Sequence, residues 1–124
     1  MAKLIMIISG MSAGLSVILG AFAAHGLKNK IEPEMLSVFK TGVDYQFYHS
    51  FALALVGLSL ITQNIEQSML LTWAFTCFVI GIILFSGSLY LLALTKKKIF
   101  GPITPIGGLF FILGWLCFIF YWIN

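Results

Sequence analysis

The feature that most constrains this chain is a run without charged residues near its start. Residues 4–24 contain no Asp, Glu, Lys or Arg, and a helix of about 20 apolar residues is what crosses a hydrocarbon core roughly 30 Å thick. Of the 124 residues, 60% are hydrophobic and 9% are charged, whereas roughly 25% are charged in an ordinary soluble domain. Too few charges are present to cover a soluble surface, so we predict an integral membrane protein.

Further apolar segments follow the first one and predict an all-α fold, an integral membrane four-helix bundle. The chain forms a single membrane domain, residues 1–124, with spans at about residues 4–24, 43–61, 69–94 and 105–123. A signal peptide is the alternative for the first segment, because Ala21-Phe22-Ala23 resembles a cleavage site. Since the apolar core of a signal peptide is usually about 7–15 residues long, we favour a span.

The connection between the first two spans has two interpretations. Pro33 suits the first turn of a helix, and Met35, Leu36 and Phe39 recur at helical spacing. This pattern predicts a short amphipathic helix on the membrane surface, over residues 33–41, followed by a bend at Gly42. The alternative is that these residues are simply the first turns of the second span.

Polar residues interrupt the start of the second span, where Asp44-Tyr45-Gln46-Phe47-Tyr48-His49 precedes an apolar run. Polar groups inside a membrane are costly and need partners. At about 100° per residue, Gln46 and Ser50 share a helix face and His49 lies roughly 60° to one side. The candidate binding or interhelical polar cluster is His25, Gln46, His49, Ser50, Tyr90 and Thr104.

Two roles are open for this cluster. One is hydrogen bonding between helices, worth about 0.6–2 kcal/mol per contact. The other is a site for a ligand, an ion or a proton, and histidine would make such a site sensitive to pH.

Small residues in the spans predict close helix packing. In lipid, helices associate where small side chains allow two backbones to approach, and the first span contains a Gly-x-x-x-Gly pattern. We therefore expect the first helix to be buried in the bundle. The candidate packing residues are Gly10, Gly14, Gly20, Gly107 and Gly108.

The lysines predict an orientation. Loops 25–42 and 95–104 contain six of the seven basic residues, and the loop between the second and third spans contains none. By the positive-inside rule these two loops are cytoplasmic, and both termini lie outside the cell (inner) membrane. The polar cluster then falls in the cytoplasmic half of the bundle. The absence of arginine argues against nucleic acid as a partner.

Known catalytic patterns are missing from the sequence. There is no paired-carboxylate, Ser/His or Cys/His constellation of recognisable form, and we predict no catalytic residue, no metal and no cofactor. Two histidines are an incomplete ligand set for zinc. Cys77 and Cys117 both lie inside predicted spans and are interpreted as small apolar residues.

Four ordered segments resemble a known family. They are GAFAAHGL at 20–27, TGVDYQFYH at 41–49, GSLYLL at 87–92 and TPIGG at 104–108. These look like the signature segments of the small bacterial membrane proteins called domain of unknown function 423, whose eukaryotic relatives include transmembrane protein 256. The family's first motif usually reads GAFGAHG, so Ala23 replaces a glycine here. The resemblance implies a four-span bacterial membrane protein with no assigned activity.

Three functions are compatible with these observations. The favoured one is a small non-enzymatic accessory protein in the lipid bilayer that assembles with itself or with a larger membrane partner. The second is a module that binds or transports a small molecule, an ion or a lipid through a one-sided polar site in the cytoplasmic half. The third is an enzyme acting on a lipid or quinone.

Overall fold

The computed structural model describes all residues, 1–124, and contains four long helices and no strand. Helix α1 spans Ala2–Gly26, α2 spans Pro33–Thr62 and α3 spans Met69–Thr95. A short 3₁₀ turn, Lys98–Phe100, precedes α4, which spans Ile103–Ile123. The all-helical prediction is confirmed.

Three of the helical segments are long and apolar enough to cross a membrane: Ala2–Gly26, Met69–Thr95 and Lys98–Ile123. Their composition and length support a multi-pass membrane protein. Helix α2 is also long, at 30 residues, but it carries the polar residues that lower its hydropathy.

The separate amphipathic helix expected at residues 33–41 is not confirmed, because α2 continues without interruption from Pro33 to Thr62. Gly42 lies inside this continuous helix. A Cβ atom there would lie 2.7 Å from Cε1 of Tyr90, so the glycine serves to admit the tyrosine ring against the backbone. Residues 33–41 are the first turns of α2, as in the alternative interpretation.

Helix α2 is central to the packing. Helix α1 runs antiparallel along it, with Gly20 near Val43 at one end and Gly57 against Met6 and Ile5 at the other. Four helices contribute to the main hydrophobic core, in which Ile5, Leu53, Phe78 and Phe111 are all buried.

Helix α1 is much less buried than expected. In the most apolar stretch of 18 residues in α1, only 17% is buried, compared with 33% in the corresponding stretch of α3. A Cβ atom added at Gly10 or Gly14 would meet nothing within 4 Å, because these glycines lie on the side of α1 that faces away from α2. The expectation that α1 is buried in a bundle is wrong for the single chain, and these two glycines pack against no other helix of it.

Helices α3 and α4 approach each other most closely at Gly107. A Cβ atom there would collide with the backbone N of Phe85 and lie 2.8 Å from its Cα. Phe85 is in a wider, π-helical turn of α3, Ile82–Ser86. Gly108, the next residue, has only the Phe85 ring near it, at 3.8 Å. The packing role predicted for these two glycines therefore belongs mainly to Gly107.

The chain ends and loops are arranged at two ends of the molecule. Lys96 Nζ, just after α3, lies 2.6 Å from Glu32 Oε1, just before α2. The hydroxyl of Thr72, at the start of α3, contacts Met1 Sδ at 3.7 Å. The first and third loops are consequently at the same end of the molecule.

We predict that Gly107→Ala destabilises the protein by about 1–3 kcal/mol, since an added methyl group would force the α3 and α4 backbones apart. The free energy of unfolding in mixed detergent micelles measures this. Gly108→Ala is the matched control and should leave stability unchanged or slightly higher, because its Cβ has room and alanine favours helix. Equal effects of both substitutions would contradict the close contact.

Candidate functional site

Gln46 joins three helices through its side-chain amide. Its Nε2 donates to the backbone carbonyl of Ser12 on α1 at 3.0 Å, and its Oε1 accepts from the Tyr90 hydroxyl on α3 at 2.7 Å. The side chain is buried. Ser12 lies near the middle of α1, so this junction is deep within the membrane-spanning part of the molecule.

Ser50 extends the same network by one helical turn. Its hydroxyl lies 2.6 Å from the carbonyl oxygen of Gln46 and 2.7 Å from the hydroxyl of Ser12. The hydroxyl of Ser9 donates to the carbonyl oxygen of Ser50 at 2.8 Å. Three α1–α2 hydrogen bonds thus form over two helical turns, and each fixes the register of the two helices.

A groove lies between α1 and α3, with Gln46 at its floor. Its volume is about 840 Å³. The walls are almost entirely apolar, and they are formed by Ile8, Met11, Leu15, Ile18, Ile82 and Ile83. Ser12, Gln46 and Tyr90 supply the polar atoms. Because those atoms already bond one another, the groove has an apolar surface with few unused hydrogen-bonding groups.

His49 faces a different neighbour, α4. Its Nδ1 lies 2.8 Å from the carbonyl oxygen of Tyr45. A carbonyl oxygen can only accept, so Nδ1 carries the proton and Nε2 of a neutral ring keeps a lone pair. The indole Nε1–H of Trp115 donates to that Nε2 at 3.4 Å. The imidazole also stacks on Phe111, with ring centroids 3.4 Å apart and an interplanar angle of 7°.

A cleft between α2 and α4 opens beside His49. It has a volume of about 540 Å³. Aromatic rings and the surface of α4 line it, including Tyr45, Phe85, Phe111, Trp115 and Gly108.

The predicted cluster is therefore divided among separate places. Gln46, Ser50 and Tyr90 are together in one network, and His49 lies with α4. Thr104 bonds the hydroxyl of Ser88 at 2.6 Å, between α4 and α3. His25 is exposed at the end of α1. The expected single polar site is not formed, because residues on one helix face different neighbours and the two histidines are not brought together.

Thr104 lies inside α4, whose first residue is Ile103, and its side chain caps no helix end. Its hydroxyl connects α4 to α3.

Several contributing residues were absent from the predicted cluster. Ser9 and Ser12 supply the α1 side of the network, and Trp115 supplies the donor at His49. The sequence could have indicated the α1 side of this network, because the spacing of Ser9, Ser12 and Ser16 places them on one helix face. The structure places no three His, Cys, Asp or Glu side chains in a group that could hold a metal ion.

Comparison with known proteins finds one matching family and several similar membrane proteins. The sequence model of the family described as "Protein of unknown function (DUF423)" matches residues 19–108. A UPF0382 membrane protein of Staphylococcus haemolyticus is 44% identical over 94% of this chain and 93% of its own length. The UPF0382 membrane protein YwdK of Bacillus subtilis is 43% identical over 92% of this chain and 91% of its own length. A UPF0382 membrane protein of Haemophilus influenzae is 43% identical over 86% of this chain and 82% of its own length. No solved structure matches the chain.

We predict that Gln46 and Tyr90 are energetically coupled by about 0.6–1.7 kcal/mol, the range measured for hydrogen bonds between helices in lipid. A double-mutant cycle of Gln46→Met and Tyr90→Phe, read by the free energy of unfolding, measures this coupling. Tyr48→Phe is the control, because the Tyr48 ring is exposed and the loss of its hydroxyl should have little effect. Strictly additive effects at Gln46 and Tyr90 would refute the coupling.

Proposed function

Since this chain belongs to the DUF423 family of membrane proteins, we propose that it is a non-enzymatic, four-span protein of the cell membrane that assembles with a second copy of itself. The observation that carries this proposal is the uncovered glycine face of α1. Gly10 and Gly14 present bare backbone at the membrane-facing side of the molecule.

Bare backbone on a membrane helix favours helix association. Lipid chains offer no hydrophobic driving force, so helices associate where small residues allow close van der Waals contact. At Gly42, Gly57 and Gly107, by contrast, another part of the chain lies against the glycine. The Gly10–Gly14 face has no such neighbour within the chain.

The groove beside this face supports a two-fold arrangement. Met11 is 70% exposed and Leu15 is 49% exposed, and both border the groove between α1 and α3. If two α1 helices cross near Gly14, Met11 and Leu15 of each copy lie against the groove of the other. Such an interface is isologous and closes at two copies.

A non-enzymatic role agrees with how the buried polar groups are used. Hydrogen bonds join Gln46, Ser50 and Tyr90 to one another and to α1. Their arrangement joins helices and presents no nucleophile next to a base.

We further propose that α2 is the fourth span and that the lysine-bearing loops are cytoplasmic. The ion pair between Lys96 and Glu32 supports placing both loops on one side of the membrane, since it joins the first and third loops at the same end of the molecule. Five of the seven lysines are in these loops, and a sixth, Lys40, lies near the start of α2.

The assembly proposal predicts that Gly14→Leu weakens self-association by about tenfold or more, because a bulky side chain separates the two α1 backbones. Crosslinking and analytical ultracentrifugation in detergent measure the change. Ala24→Leu is the control, as it adds the same side chain at an exposed position of α1 that does not line the groove. A monomeric wild-type protein, or a Gly14→Leu variant that associates normally, would refute the proposal.

The topology proposal predicts that alkaline phosphatase fused after Asn124 is active, because that enzyme folds only outside the cytoplasm. The same reporter fused after Lys97 should be inactive. The reverse pattern would overturn the orientation, and activity at both points would overturn the number of spans.

A further inference from the structure

The cleft between α2 and α4 brings one hydrogen-bond donor and one acceptor together deep in the membrane-spanning part of the molecule. The donor is the indole N–H of Trp115 and the acceptor is His49 Nε2. His49 is held in place by the hydrogen bond from Nδ1 to Tyr45 and by the stacked ring of Phe111. These contacts fix which ring nitrogen accepts.

The bond between these two groups is long. The Trp115 Nε1 to His49 Nε2 distance is 3.4 Å, whereas N–H···O hydrogen bonds in proteins most often measure about 2.9–3.0 Å. Trp115 is also 37% exposed. A ligand atom that bonds both nitrogens would therefore replace a weak contact with two good ones.

The walls of the cleft suit a flat ring. Tyr45 stacks on Phe85 with ring centroids 4.5 Å apart, and Phe111 lies 5.4 Å from Phe85. Gly108 leaves space in the lining of the cleft, since the nearest atoms to its side-chain position belong to the Phe85 ring and are 3.8 Å away. The volume of about 540 Å³ lies within the range of about 300–1,000 Å³ that is usual for small-molecule sites.

We propose that this cleft binds a lipid-soluble aromatic alcohol, the chemical class of phenols and quinols. A hydroxyl group both donates and accepts, so it donates to His49 Nε2 and accepts from Trp115 Nε1–H. A quinone, a ketone or an ether can only accept, which leaves the lone pair of His49 unpaired. The ring of the ligand packs against Tyr45 and Phe85. This proposal does not depend on assembly through α1.

β-Naphthol and its methyl ether test the hydrogen-bonding requirement, because the two probes share one ring system and only the first has an O–H group. Titration of the protein in lipid nanodiscs, with empty nanodiscs to subtract partitioning, should show saturable binding of one β-naphthol per chain. The methyl ether should bind about tenfold more weakly, as expected when a buried acceptor loses its donor.

Two glycine substitutions test the location. Gly108→Leu places a side chain in the cleft and should abolish saturable binding. Gly87→Leu is the matched control, since Gly87 is a helical glycine that borders the α1–α3 groove and has open space around it. It should leave the affinity for β-naphthol unchanged.

Trp115→Phe keeps a ring in place and removes the donor, so the affinity for β-naphthol should fall about tenfold and approach that of the methyl ether. This variant decides the question if Gly108→Leu does not fold. No saturable binding, equal binding of both probes, or unchanged binding in Trp115→Phe would each overturn the proposal. Equal binding of both probes would show that the cleft accepts apolar molecules in general.

Discussion

The need to satisfy the Gln46 amide determines much of this structure. Hydrocarbon offers no hydrogen-bonding partner, so a buried amide must find its partners within the protein. Gln46 obtains them from two other helices, the Ser12 carbonyl of α1 and the Tyr90 hydroxyl of α3. The position of each helix along α2 is thereby fixed by a contact that tolerates little displacement, since a hydrogen bond weakens over a few tenths of an ångström.

Once the register is fixed, the close contacts follow from it. Tyr90 can reach Gln46 only if its ring passes over the backbone of α2, and Gly42 provides the space. Along α1, the same register places Ile5 and Met6 against Gly57. The glycines and the polar groups are thus parts of one arrangement, in which the Gln46–Tyr90 hydrogen bond requires a position without a side chain at Gly42. A larger residue at Gly42 would disturb the Gln46–Tyr90 bond as well as the packing.

The sequence predicted the parts of this arrangement that depend on one helix at a time. Lengths of apolar runs gave four helical segments, and the angular positions of Gln46 and Ser50 placed them on one face, where the structure has them bonded to the same α1 serine or its backbone. The angular position of His49 around the helix differed from those of Gln46 and Ser50, and the structure also directs His49 toward another helix. What the sequence could not supply is which helix occupies each face. His49 was grouped with Gln46 for this reason, although it packs against α4.

The glycines show the same limit more clearly. Gly14 and Gly107 are both small residues in apolar helices, and the sequence alone does not distinguish their packing roles. The structure places the backbone of Phe85 against Gly107 and nothing against Gly14, because the role of a glycine depends on what lies opposite. For Gly42 the pattern suggested a bend, whereas the structure places the ring of Tyr90 against the glycine. Conformational freedom and close approach have the same sequence signature, and only the neighbouring helix distinguishes them.

Two of the exposed surfaces, the glycine face of α1 and the α2–α4 cleft, differ in their chemistry. Lipid chains can fill any apolar depression, so a groove or cleft in a membrane protein has no significance by volume alone. The glycine face of α1 offers close approach to a backbone, which a second helix exploits better than a disordered lipid chain does. The α2–α4 cleft offers a lone pair and an N–H group that are joined only by a long bond of 3.4 Å, and a lipid chain can bond neither of them. Because the glycine face would select for shape and the cleft for hydrogen bonding, the proposed second helix and the proposed hydroxylated ring would occupy separate surfaces and would not compete.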